Sequence, residues 1–200
     1  HSDEKNDWTF YGHDVVSARM AKKILADLKF PKEIAAKVEI LVRWHMFFSD
    51  PDTVTLTAVR RLISRVGTHN MEDLVNLRVC DRIGTWRPKA HPFRLRKYMS
   101  MIDEAMRDPV SVSMLKINGN RIIEMGERPG RKIGWTLHAL LEEVLDDPSK
   151  NTEEYLEHRT GDLLAMPESE LKALGEEGKD RKSEEDAAAV KALRDKHHVS

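Results

Sequence analysis

The chain has 200 residues, 40% hydrophobic and 34% charged, with a formal net charge of −1. That composition suits one or two globular domains with a real core and excludes a polyanion partner recruited by global charge alone. One cysteine, Cys80, excludes internal disulfides and fits a reducing compartment such as the cytoplasm. No apolar run approaches the ~20 residues of a membrane span, so no membrane partner is expected.

Almost every segment reads as helix. Val15–Leu28 places Val16, Ala18, Met20, Ala21, Ile24, Leu25 and Leu28 at helical spacing. Pro31 stops that helix and opens the next, from about Lys32 to Phe48. Asp50-Pro51-Asp52 is a turn. Leu56–Val66 is a third helix, closed by Gly67. Asn70 is placed to N-cap Met71–Gly84, with Leu74, Leu77 and Ile83 inward. Pro88 and Pro92 bound a basic loop, and Phe93–Arg107 forms a fifth helix.

After Asp108-Pro109 the character changes. Lys116–Asn120 reads as a turn, and 124–134 holds three glycines and a proline. An amphipathic helix follows over Ile133–Leu145, and Asp146-Asp147-Pro148 ends it. Thr152 is an N-cap, with Glu153 and Glu154 well placed in the first turn. From Glu168 the chain is charged and poor in large apolar residues, so it reads as a solvated or partner-dependent helical tail. The expectation is an all-α fold in three parts: 1–108, 109–166 and 167–200.

Three positions carry the residue types that hold divalent metals: His13, His45 and Asp81. Each has a plainer alternative. His13 and Asp14 can simply start a helix, with Asp14 as N-cap. His45, beside Trp44, Met46 and Phe47, can be a core histidine satisfied by the backbone. Asp81, mid-helix, can be paired by Arg78 or Arg82. Two further features point to phosphate. Between Arg78 and Lys97 the only acid is Asp81, while Arg78, Arg82, Arg87, Lys89, Arg94, Arg96 and Lys97 alternate with Trp86, Phe93 and Tyr98. The Gly126–Gly134 segment feeds a helix and carries Arg128, Gly130, Arg131 and Lys132. The alternatives are a solvated basic face and a tight packing corner.

Four stretches carry a resemblance: Trp8–Ala21, Leu41–Met46, Val59–Gly84 and Ile117–Leu156. The last is the most specific, with its order of Asn-Gly, Gly-x-x-Pro-Gly-x-x-Ile-Gly, helix, Asp-Pro and Asn. Over roughly 8–156 the chain resembles the C-terminal half of bacterial-type tRNA nucleotidyltransferases, the CCA-adding and poly(A) polymerase-like family with an HD domain. The resemblance implies a tRNA-binding helical portion. It implies an N-terminal catalytic head, supplied elsewhere, that uses Mg²⁺. It also makes His13, His45 and Asp81 part of an HD-like divalent-metal constellation, whose His-Asp dipeptide is expected before His13. This chain is then not expected to add nucleotides alone. Two other readings stay open: an HD-type metal-dependent phosphohydrolase, and a helical scaffold whose tail pairs with another chain.

Overall fold

The computed structural model describes residues 12–47, 54–85 and 91–176. All regular structure among them is helical, and no strand occurs there. The expected turn at Asp50–Asp52, Trp86, Arg87 and Lys89 of the basic run, and the tail beyond residue 176 lie outside the described residues.

By their contacts the described residues form two compact units, 12–47 with 69–85, and 54–68 with 91–176. The helices at Leu56 and Phe93 pack within the same unit as the helix at Arg131.

The first unit opens on α1 (His13–Asp27) and α2 (Lys32–Trp44), which pair as a helical hairpin. Two ion pairs fix them antiparallel: Arg43 with Asp14, and Lys22 with Glu39 at 3.1 Å. Lys29 takes a left-handed φ of 57° in the turn, where the Lys29 and Phe30 N–H groups donate to Ala26 and Leu25. Asp14 is not the N-cap. Gly12, at φ 69°, holds that place, so Asp14 falls in the first turn, where its carboxylate reaches Arg43. α2 ends at Trp44, short of Phe48.

Next in the chain, α3 (Leu56–Val66) belongs to the second unit. α4 (Met71–Gly84) returns to the first and packs on α2. Asn70 does not cap α4 through its side chain. It ends a 3₁₀ turn, Thr68–Asn70, in helical backbone, which leaves the side chain without the extended geometry that capping needs. Lys37 of α2 pairs with Asp73 of α4 at 2.6 Å. Among the described residues, this unit buries Val15, Ala18, Phe47, Met71, Leu74 and Val75.

In the second unit, α3 buries Val59, Leu62, Ile63 and Val66, and Thr55 caps it by accepting from the Ala58 N–H at 3.2 Å. α5 (Phe93–Ala105) lays Leu95, Tyr98, Ile102 and Ala105 inward. The segment read as a turn at Lys116–Asn120 instead starts a short helix, α6 (Gly119–Glu124), because Asn118 accepts from the Arg121 N–H at 3.0 Å. α7 (Arg131–Asp146) is the central element and buries Ala139, Leu140, Leu141, Val144 and Leu145. α8 (Glu153–Ala165) starts at Thr152, which accepts from the Tyr155 N–H at 3.2 Å, and buries Leu156 and Leu163. A last helix, α9, runs over 168–176. Its charge predicts a solvated helix, but Leu171 is fully buried and a Cβ built on Gly175 would lie 2.6 Å from Trp135 Cα. Gly175 lets this charged helix lie close against Trp135 of α7, whose Nε1 donates to Glu176 Oε1 at 3.2 Å.

Candidate RNA-contacting surfaces and the histidine pair

In the first unit, α1 and the end of α2 bring His13 and His45 together. Their rings meet edge to face with centroids 5.3 Å apart. His45 is buried, and its Nδ1 lies 2.7 Å from the Val42 carbonyl. A carbonyl only accepts, so Nδ1 carries the proton and donates. The neutral ring then keeps Nε2 as its acceptor nitrogen, the form in which histidine binds cations. Asp81 does not join them in a ligand cluster. Arg78 Nη1 donates to Asp81 Oδ2 at 3.2 Å, one helical turn away. Among the described residues no group of three His, Cys, Asp or Glu side chains is arranged to hold a metal ion. Of the three residues, the described structure brings only His13 and His45 together.

The cationic residues separate into two kinds. Some are committed to the fold. Arg78, only 12% exposed, holds Asp81 and also approaches the Met46 sulfur at 2.8 Å. Lys132 donates from Nζ to Glu127 Oε2 at 3.2 Å and to the Leu164 carbonyl at 3.0 Å, so it closes the C-terminal end of α8. Others face solvent. Arg128 and Arg131 flank the turn into α7, are exposed, and have no ion pair or side-chain hydrogen bond among the described residues. Arg94, Arg96 and Lys97 are exposed on the first turns of α5, where Arg96 also donates to the His91 carbonyl, and Arg82, half-buried near the end of α4, falls between the two kinds.

The backbone of the turn also differs from a uniform glycine loop. Gly126 has φ 104°, a left-handed conformation that favours glycine, whereas Gly130 has φ 171°, extended backbone open to any residue. Sequence reasoning missed Arg60. It is buried on α3, and its guanidinium donates to the Leu145 carbonyl at 2.7 Å, to Asp108 Oδ2 at 3.0 Å and to the Asp146 carbonyl at 3.2 Å. The sequence signal was slight: an Arg inside the apolar stripe of Val59, Leu62 and Ile63.

Fold and surface thus define an all-α chain with solvent-facing cations on two helix starts. No helix among the described residues is long and apolar enough to cross a membrane. The chain is similar to a CC-adding tRNA nucleotidyltransferase of Thermus thermophilus, 32% identical over 134 residues, which is 66% of this chain and 29% of that protein. It is also similar to an A-adding tRNA nucleotidyltransferase of Deinococcus radiodurans, 27% identical over 138 residues, 67% of this chain and 31% of that protein. The matched stretch thus spans under a third of each of these relatives. No protein-family model matches the chain, and no solved structure does.

Proposed function

We propose that this chain is a tRNA-holding helical part of a tRNA nucleotidyltransferase of the CCA- or A-adding kind, working in the cytoplasm. The observation that carries the reading is the similarity to a CC-adding and an A-adding enzyme over two thirds of the chain. The solvent-facing Arg128, Arg131, Arg94, Arg96 and Lys97 support it, because affinity for structured RNA comes mainly from phosphate contacts and shape. In this reading nucleotide addition, with its Mg²⁺ and paired carboxylates, belongs to a separate catalytic head. The 200 residues supply grip on the tRNA and not the chemistry.

The test is tRNA binding by the 200-residue chain against salt. Arg128→Ala with Arg131→Ala should weaken binding and reduce the slope of log affinity on log salt by roughly 0.7–0.9 for each phosphate no longer neutralised. Lys132 is left in place because it holds Glu127 and the end of α8. Unchanged affinity and slope would make the turn a packing corner. Extension of a tRNA 3′ end by the purified chain would overturn the division of labour.

A further inference from the structure

α5 turns Leu95, Tyr98, Ile102 and Ala105 into the core. Phe93, Arg96, Lys97 and Ser100 follow one another at short helical intervals on the opposite side, and all four are exposed. Phe93 is 68% exposed, the most of any large apolar side chain among the described residues. Arg96 Nη1 donates to the His91 carbonyl at 2.8 Å, which draws its guanidinium back toward the helix start that carries Phe93.

Cations at the start of a helix oppose its dipole, and the first turn of α5 holds no acid to offset them. A phenyl ring left in water gains nothing from burial. A solvent-facing ring beside exposed cations on one helix face is the pairing by which proteins hold single-stranded nucleic acid, and it points to a ligand. The ligand must offer an apolar flat face with negative charge about one helical turn away. An unpaired nucleotide has both, a base and its flanking phosphates.

We propose that Phe93 stacks on an unpaired base of bound RNA while Arg96 and Lys97 hold the adjoining phosphates. The inference rests on the tRNA-holding reading and adds a base contact to its phosphate contacts. Tyr98, the other described aromatic of the basic run, is buried and takes no part.

The experiment measures the 200-residue chain with a tRNA transcript and, separately, with a short unstructured oligoribonucleotide, over a range of salt. Phe93→Ala should weaken binding of both by roughly 5- to 150-fold, with the salt slope unchanged. Arg96→Ala should reduce the slope by roughly 0.7 for a single-stranded phosphate. Phe93→Trp should keep the affinity. The urea midpoint of Phe93→Ala should stay at the parent value, because the ring is exposed. Wild-type affinity in Phe93→Ala overturns the inference, and the tRNA reading survives if Arg128→Ala with Arg131→Ala still weakens tRNA binding. Binding of the oligoribonucleotide through Phe93, with no binding of tRNA, keeps the stacking interaction and sinks the tRNA reading. No binding of either RNA sinks both. A Phe93→Ala variant that binds RNA normally but changes the sedimentation of the chain makes the patch a protein interface and overturns the inference.

Discussion

The Arg60 guanidinium closes the end of α7: its Nε donates to the Leu145 carbonyl at 2.7 Å, across 85 residues of sequence. The last carbonyls of a helix have no partners within it. Here one side chain from α3 satisfies two of them and reaches Asp108 as well. Arg60→Met should therefore destabilise the chain by about 2–4 kcal/mol, since it leaves buried acceptors without donors. Arg60→Lys should recover only part of this, because an ammonium lacks the planar fork. Urea denaturation of the two variants checks the order. A midpoint for Arg60→Met equal to the parent's would show that the clamp contributes nothing net.

Two glycines should respond in opposite ways to the same methyl group. A Cβ on Gly175 would stand 2.6–2.7 Å from Trp135 Cα, Cβ and O, too close to be relieved by a rotamer change. Gly175→Ala should loosen α9 from α7 and alter the near-ultraviolet signal of Trp135. Gly161 lies inside α8 with nothing within 4 Å of its added Cβ. Gly161→Ala should raise stability by about 0.5–1 kcal/mol. Thermal melts that move in the same direction for both variants would refute this contrast.

Tyr98 should make the second unit sensitive to alkali. Burial pushes its hydroxyl up to about 12, above the ordinary value of 10.0. The folded state thus prefers the neutral phenol. Its contribution is fully present below about pH 10 and is lost as pH rises from there towards about 12. Stability measured across roughly pH 9–12 should fall more steeply in the parent than in Tyr98→Phe. Parallel profiles would remove Tyr98 as the cause.

The histidine pair gives a prediction in magnetic resonance. With Nδ1 donating to the Val42 carbonyl, neutral His45 should populate the Nδ1–H tautomer, and its nitrogen shifts should show Nε2 without a proton. The opposite tautomer would mean that the 2.7 Å approach is not a hydrogen bond.

What the sequence disclosed was what neighbours along the chain decide. α3 and α4 fall on the expected bounds, Leu56–Val66 and Met71–Gly84, because apolar spacing and the Gly67 stop are local signals. Thr152 caps α8 for the same reason. The readings that change depend on distant partners. Lys132 reads as a phosphate contact beside Arg131, yet one of its acceptors, the Leu164 carbonyl, lies 32 residues on. Arg60 carries no mark along the chain of its role, because the groups it binds are 48 and 85 residues away. Gly130 reads as part of a glycine-dependent turn, but its extended φ comes from how the turn enters α7. Of the candidate metal residues, His13 and His45 meet, while Asp81 is held by Arg78 as one of its plainer alternatives allows.

The separation of Arg60 from its acceptors also has a consequence in time. α3 is made long before α7, so Arg60 has no α7 carbonyl to bind when it emerges from the ribosome. At about 5–20 residues per second, the intervening 85 residues take roughly 4–17 s to synthesise. Helices form in microseconds or less. Arg60 therefore waits, its helix formed or not, for most of the second unit's synthesis before its acceptors on α7 exist, whereas α5 reaches α3 earlier. The pace of translation between residues 61 and 145, and not the stability of the finished fold, sets how long the Arg60 guanidinium goes without the α7 carbonyls that it closes.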